Sequence, residues 1–241
     1  MEVLAAPDRT AYLAAQIERS NRKFAYCKVS ARNVAVYRDL LAHVAREEGR
    51  ACPIRTICCL GTRNGREVDL FRLLFFGGPL LRRAVSACER ETHSFISLVP
   101  WLEALERSDW RQVSEGSVVG VEINPRAARR DVWTGSFDEM PAEWTGRFDL
   151  VYSNSFDQSQ DPVRTALEWR RITRPGGHLI VCFSKHQRPT ATDPVGGLRV
   201  TDLLELFGGA LIYYSDRGLG TGYSEAILRM PEASEGQETM T

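Results

Sequence analysis

The sequence predicts an α/β fold in which a doubly wound, mainly parallel sheet is covered by helices and finishes with an antiparallel final strand. Short apolar segments alternate with segments of helical periodicity along most of the chain, which is the pattern of a layered α/β domain. The early apolar segments are almost continuously hydrophobic, as expected of strands buried on both faces. Residues 215–222 separate the last two predicted strands without room for a helix, so these strands are expected to pair antiparallel.

The first half of the chain supplies an N-terminal helical extension and the start of the sheet. Apolar residues at helical spacing predict helices within residues 1–50. A β-branched apolar run at 54–60 predicts a buried strand, residues 61–65 a glycine-containing turn, and residues 67–76 a helix. Helical periodicity continues over residues 79–117, which we interpret as a helical insertion.

The second half of the chain continues the alternation of strands and helices. Strands are predicted at 118–121, 148–154, 178–183, 210–214 and 223–229, and helices at 164–172 and 201–207. Residues 174–177, Arg-Pro-Gly-Gly, predict a tight turn. We therefore expect one core domain over residues 51–230, followed by a polar, disordered tail over residues 231–241.

The composition narrows the class of protein. The chain has 241 residues, 43% hydrophobic content and 31 basic against 31 acidic residues. A general nucleic-acid binder needs a surplus of Lys and Arg, so no nucleic-acid partner is expected. No apolar run approaches the ~20 residues of a membrane span, and the first residues lack the order of a signal peptide. Six cysteines without metal-ligand spacing indicate a reduced, cytoplasmic protein without a metal site.

Three strand ends carry residues suited to binding a nucleoside-type ligand. Ligands of open α/β sheets bind beyond the carboxyl ends of the strands. The glycines of residues 61–65 let the backbone approach a ligand, and the following helix start supplies free N–H donors. Glu122 ends the next strand, where a carboxylate can accept hydrogen bonds from both hydroxyls of a ribose. Polar side chains crowd residues 152–157; the alternatives for these sites are a solvated charge and an ordinary capping loop.

The order of these segments resembles the class I S-adenosylmethionine-dependent methyltransferases, in particular the type 11 group. The similar segments are residues 57–65, 120–125, 135–141 and 146–177. The resemblance covers residues 54–229 and implies a Rossmann-like fold, S-adenosylmethionine as cofactor and a small-molecule acceptor. The combination of Gly-Thr-Arg-Asn-Gly-Arg-Glu with Tyr-Ser-Asn-Ser-Phe-Asp is similar to a bacterial subgroup found near surface-glycan genes.

The resemblance assigns roles to individual residues. It implies that residues 61–65 wrap the methionine part of the cofactor, that Glu122 binds the ribose and that Ile123 packs on the adenine. The complete set of expected cofactor-binding residues is Gly61, Thr62, Arg63, Gly65, Glu67, Glu122, Ile123, Asn124, Ser136, Phe137, Asp138, Asn154 and Ser155.

Three positions depart from the family pattern. Cys59 stands where the family usually has an acidic residue, and Arg63 stands where it has a middle glycine. Ser136 replaces a common aspartate. We expect Glu67, at the start of the following helix, to replace the missing carboxylate.

Methyl transfer requires the acceptor atom to lie in line with the sulfonium methyl, and it needs a base only when the acceptor must lose a proton. Asp157 and His186 lie at the right end of the sheet for that catalytic role. Their alternatives are a helix cap for Asp157 and a surface loop residue for His186. The expected acceptor carries a hydroxyl, as a sugar or secondary metabolite does.

Two other functions are compatible with the residues. A nicotinamide-dependent oxidoreductase would use Glu122 for its ribose, but Glu122 follows Gly61 by 61 residues, whereas a dinucleotide fingerprint has its acidic residue about 20 residues on. A non-catalytic cofactor-binding or scaffold protein would explain the unusual Cys59 and Arg63. We also expect at least one of the segments 11–49 and 79–117 to form the acceptor pocket or its lid, and the other to share that role or to make a homodimer contact. The alternative is that these helices pack on the far face of the sheet.

Overall fold

The computed structural model describes residues 1–5, 8–24, 27–50, 54–78, 82, 116–217 and 223–232. The strands in these ranges are β1 (Glu2–Val3), β2 (Thr56–Leu60), β3 (Ser117–Glu122), β4 (Val132–Thr134), β5 (Phe148–Ser153), β6 (Thr173–Phe183), β7 (Val195–Gly196), β8 (Ala210–Ser215) and β9 (Ser224–Arg229). The helices are α1 (Arg9–Arg22), α2 (Ala31–Glu47), α3 (Arg66–Phe76), α4 (Pro162–Ile172) and α5 (Val200–Phe207), and short 3₁₀ turns lie at Pro125–Ala127, Ala142–Trp144 and Phe156–Gln158.

Seven strands form one sheet in the order β4-β3-β2-β5-β6-β9-β8, and β1 pairs separately with β7. The pairs β2–β3, β3–β4 and β5–β6 are parallel, whereas β9 runs antiparallel to both β6 and β8. The predicted fold class, a mainly parallel sheet with an antiparallel final strand, is therefore confirmed. Within the described helices, none combines the length and apolar content that a membrane crossing requires.

Residue contacts divide the chain into two compact units, residues 16–134 in one and residues 1–15 with 135–241 in the other. In the first unit β2 is buried from Ile57 onward. A Cβ atom at Gly120 would lie 2.8 Å from the side chain of Val68. Glycine at this position therefore allows α3 to pack closely on β3.

A partly buried network of four charges fastens α3 to the strands in the same unit. The Arg129 guanidinium donates to Asp69 at 2.5 and 2.9 Å and to Asp131 at 2.6 and 2.9 Å. Arg72 lies 2.8 Å from Asp131 and donates to the Val118 carbonyl at 2.9 Å. Burial raises the pKa of Asp131, but hydrogen bonds and charges from the two arginines outweigh it and hold that pKa at about 2.

The second unit is built on β5, which is buried along its whole length. Aromatic rings pack beside it: the Trp169 ring contacts Phe156 edge-on at 5.3 Å, Phe207 stacked at 6.1 Å and Phe137 edge-on at 5.6 Å between centroids. This cluster ties α4 and α5 to the loop that follows β4.

The prediction of a tight turn at residues 174–177 is wrong, because these residues belong to β6. Phe148 of β5 pairs with Thr173, yet Leu150 pairs with His178. The extra residues of β6 therefore form a bulge inside the strand, and Gly176 takes a left-handed φ of +67° there.

The remaining predicted elements have mixed outcomes. Helices α1 and α2 lie in the predicted N-terminal extension. The predicted insertion at 79–117 lies outside the described residues except for Arg82, Gly116 and Ser117, and so does the predicted tail after residue 232. Strands β1, β4 and β7 were not predicted.

Candidate functional site

The loop after β2 is held in an unusual backbone conformation. Gly61, Arg63 and Gly65 have φ values of +75°, +50° and +75°, all in the left-handed region. Arg63 is the one residue other than glycine with a positive φ in the part of the chain that the structure describes. Such a conformation costs a non-glycine residue of order 1–2 kcal/mol and persists only where its surroundings fix it.

The backbone contacts of the loop explain why this conformation is kept. The N–H groups of Gly61 and Thr62 donate to the Val121 carbonyl at 2.9 and 3.2 Å. The N–H of Arg63 donates to Oε2 of Glu122 at 2.7 Å. The loop is thus fixed against the carboxyl end of β3.

Glu122 is buried, with 5% of its surface exposed. In addition to the Arg63 amide on Oε2, its Oε1 accepts from the Asn124 N–H and from the Ser20 hydroxyl, each at 3.2 Å. Burial raises the pKa of Glu122, and these hydrogen bonds oppose that rise. A buried carboxylate with a fixed orientation at a strand end is suited to accept from a polar ligand.

The end of α1 and the residues after it cover this carboxylate. Asn124 Nδ2 donates to the Ser20 hydroxyl at 3.1 Å, and Asn64 Nδ2 donates to the Phe24 carbonyl at 2.8 Å. The Arg126 guanidinium lies 4.3 Å from the centre of the Phe24 ring, which is a cation–π contact. Residues 20–24 are therefore held by the loop and by the segment after β3.

Glu67 lies under the same loop, in the first turn of α3, and is 4% exposed. Burial raises the pKa of the Cys59 thiol and of the Cys27 thiol, and the negative charge of Glu67 raises both further. The carboxylate of Glu67 therefore acts electrostatically on Cys59, at the position where the acidic residue is missing.

Thr62 has a different environment from its neighbours in the loop. Its side chain is 1% exposed, and a Cβ atom at Gly120 would lie 3.0 Å from its hydroxyl oxygen. The Thr62 side chain thus packs toward β3, so any contact of this residue with a ligand would come from its backbone.

In the second unit, the predicted site residues after β4 form a closed hydrogen-bond network. The Ser136 hydroxyl donates to Asp138 Oδ2 at 3.1 Å, and the Thr165 hydroxyl donates to Oδ1 at 2.5 Å. Burial raises the pKa of Asp138, and these two hydrogen bonds oppose it. The Phe137 carbonyl accepts from the Trp169 indole N–H at 3.1 Å. Asp138 therefore holds this loop against α4, within the same unit.

The polar residues at the carboxyl end of β5 are also linked. Asn154 Nδ2 donates to the Tyr152 hydroxyl at 3.3 Å, and the Ser155 hydroxyl donates to Asn154 Oδ1 at 3.1 Å. The Ser155 N–H donates to the Ser153 hydroxyl at 3.1 Å. Asn154 is thus fixed in orientation by a neighbour on each side.

The two candidate bases, Asp157 and His186, lie in different environments. Asp157 is half-buried in a 3₁₀ turn, where its carboxylate accepts from Gln187 Nε2 at 3.3 Å. It does not cap α4, because Asp161 is the residue that accepts from the Arg164 N–H at 3.0 Å. His186 is exposed in the turn after β6, next to Gln187.

Sequence reasoning missed Ser20 and Phe24. Both lie in the chain far from Glu122, and a polar residue near a helix end is ordinary. No local pattern in the sequence distinguishes Ser20 from a solvent-exposed serine.

Comparisons with known proteins match part of the chain to a methyltransferase domain. Residues 103–181 match the family model described as a methyltransferase domain. The structure is similar to that of a Burkholderia thailandensis 1,6-didemethyltoxoflavin-N1-methyltransferase with bound 1,6-didemethyltoxoflavin and S-adenosylhomocysteine. The TM-score is 0.55 at 14% identity, over 95% of this chain and 92% of that chain. A segment of the chain thus matches a methyltransferase domain, on a fold that the chain shares with this methyltransferase.

A second similar structure is that of the CurJ carbon methyltransferase, with a TM-score of 0.51 and 10% identity over 83% of this chain and 54% of that chain. No curated protein matches the chain in sequence. At these identities the two structures show the fold alone. The match to a methyltransferase domain favours a methyltransferase over the nicotinamide-dependent oxidoreductase.

Proposed function

We propose that the chain transfers the methyl group of S-adenosylmethionine to the hydroxyl of a small molecule, such as a sugar or a secondary metabolite. The observation that carries the cofactor part is the buried Glu122 carboxylate fixed at the end of β3 by the Arg63 amide at 2.7 Å. The balance of 31 basic and 31 acidic residues supports a small acceptor over a nucleic acid.

Glu122 is the proposed ribose ligand. The two hydroxyls of a ribose are hydrogen-bond donors, and a carboxylate is an acceptor only. The amides of Arg63 and Asn124 orient Glu122 without using side chains that would have to move. The same negative charge would repel a ribose that carries a 2′-phosphate. Ile123 and Asn124 follow Glu122 directly, and we propose that Ile123 packs on the adenine.

Glu67 is the proposed ligand of the cofactor ammonium group. Its charge acts on Cys59, the position of the missing acidic residue. It lies in the first turn of α3, directly after Gly65. A short glycine loop leading into that turn brings the carboxylate to the methionine part of the cofactor. The proposed contacts of Ser136, Phe137, Asp138, Asn154 and Ser155 remain predictions.

Asp157 is the proposed base. A hydroxyl acceptor must lose its proton during methyl transfer. Asp157 follows the polar end of β5, and its hydrogen bond from Gln187 fixes the carboxylate. The exposed His186 remains the second candidate. The structurally similar proteins carry N1-methyltransferase and carbon methyltransferase in their names. The proposal of a hydroxyl acceptor is therefore supported by the presence of a candidate base and not by these two proteins.

Calorimetric titration with S-adenosylhomocysteine and with NAD tests the cofactor, and a turnover screen over hydroxylated sugars and metabolites tests the acceptor. We expect binding of S-adenosylhomocysteine, no heat with NAD, and methyl transfer to a hydroxyl. Binding of NAD alone would contradict the proposal. Binding of S-adenosylhomocysteine with no turnover on any acceptor would support the non-catalytic alternative.

A further inference from the structure

Ser20 makes the same hydrogen bond to Glu122 that a ribose hydroxyl would make. The residue is 8% exposed. Its hydroxyl donates to Glu122 Oε1 at 3.2 Å and accepts from Asn124 Nδ2 at 3.1 Å. The hydroxyl is therefore both donor and acceptor at the carboxylate, as a sugar hydroxyl is.

We propose that the Ser20 hydroxyl occupies a ribose hydroxyl position on Glu122 and is exchanged for the cofactor on binding. Ser20 is then a residue that sets cofactor affinity, although it lies on the N-terminal helix. This inference rests on the proposed function, because it takes Glu122 as the ribose ligand.

The number of acceptor positions on Glu122 makes the exchange necessary. A carboxylate offers about four lone-pair positions. Three are filled by the Arg63 amide, the Asn124 amide and the Ser20 hydroxyl. A ribose diol needs two, so one donor must leave.

Ser20 is the donor that can leave. The amides of Arg63 and Asn124 belong to backbone that is fixed by the loop and by the end of β3, whereas the Ser20 hydroxyl is released by rotation about one side-chain bond. Asn124 Nδ2 also donates to Asn21 Oδ1 at 2.9 Å, so it keeps a partner when Ser20 turns away. The Asn64–Phe24 hydrogen bond at 2.8 Å holds the rest of the segment in place.

The experiment is a calorimetric titration of S-adenosylhomocysteine into the full chain and into Ser20→Ala. Removing the competing hydrogen bond is expected to lower the dissociation constant about threefold to tenfold. Ser117→Ala is the matched control, because Ser117 begins β3 at the opposite end from Glu122 and is exposed. Its dissociation constant should equal that of the unsubstituted chain. An unchanged or higher dissociation constant for Ser20→Ala would overturn the exchange.

Two further variants keep the test decisive. Ser20→Thr retains the hydroxyl and should bind as the unsubstituted chain does; binding as tight as that of Ser20→Ala would contradict the proposal. In Glu122→Ala, which has no acceptor for the Ser20 hydroxyl, adding Ser20→Ala should give no gain, and a retained gain would also contradict it. Absence of S-adenosylhomocysteine binding to the unsubstituted chain would refute the proposed function itself, which is a separate result.

Discussion

Replacing Asp131 by Asn should destabilise the chain in a pH-dependent way. Asp131 is held by Arg129 at 2.6 and 2.9 Å and by Arg72 at 2.8 Å, and its side chain is 15% exposed. The amide of Asn keeps the shape but loses the negative charge. Both guanidinium groups then lose an ionic partner, although Asp69 still contacts Arg129 and lies 3.6 Å from Arg72.

The magnitude follows from the pKa of Asp131. Its fall from 3.8 to about 2 corresponds to about 2 kcal/mol of folding free energy at neutral pH. Because the pKa is lowered in the folded state, this stability is fully present well above pH 3.8 and is lost as the pH falls toward 2. The difference in unfolding free energy between the two proteins should therefore shrink as the solution is acidified.

Urea unfolding followed by circular dichroism at pH 7 and at pH 3 measures this difference. Asp39→Asn is the control, because Asp39 pairs with Arg38 at 2.7 Å but is 67% exposed, and such pairs contribute about 0–1 kcal/mol. A difference for Asp131→Asn that is the same at both pH values, or no larger than that of the control at pH 7, would refute the reasoning.

Other predictions concern the loop at residues 61–65, the segments expected to cover the acceptor, and the candidate base. Gly61→Val should abolish binding of S-adenosylhomocysteine in a titration, since a branched side chain resists the φ of +75°; retained binding would place the cofactor elsewhere. Arg63→Gly should raise the free energy of unfolding, measured in urea, by at most about 1 kcal/mol through relief of its left-handed backbone; a lower free energy of unfolding would mean that side-chain contacts outweigh the strain. Amides of residues 11–49 or of residues 79–117 should exchange more slowly with S-adenosylhomocysteine and acceptor present, and unchanged exchange in both segments would contradict the expectation that they cover the acceptor. Asp157→Asn should lower kcat on hydroxyl acceptors with an unchanged dissociation constant for S-adenosylhomocysteine; an unchanged kcat would leave His186 as the candidate.

Most of the sheet was predictable because strands that are buried on both faces appear in the sequence as runs of apolar residues. Strand β2 is apolar from Ile57 to Leu60, and β5 contains the apolar run Leu150–Tyr152. The segments between them have helical periodicity. Strand β4 is only three residues long, which is too short for any periodicity. The sequence of residues 174–177 predicts a turn, because Pro and Gly are the usual residues of turns. Gly is also found at β-bulges inside strands, so the sequence alone does not distinguish the two.

The candidate site was predictable only in its local parts. Gly61, Gly65 and Glu122 stand at strand ends, where the fold class itself directs attention. The hydrogen bond between Ser20 and Glu122 joins residues 102 positions apart, and it depends on how a helix end packs. The cap of α4 by Asp161 in place of Asp157 depends on where that helix begins, which sequence patterns define to within a few residues.

The most direct test of the ribose assignment is the dissociation constant of S-adenosylhomocysteine for Glu122→Ala. Loss of the buried acceptor should weaken binding by about 1–3 kcal/mol, or roughly fivefold to more than a hundredfold. Glu143→Ala, at an exposed residue of the turn Ala142–Trp144, should bind as the unsubstituted chain does. Equal dissociation constants for Glu122→Ala and the unsubstituted chain, with both folded, would contradict the account.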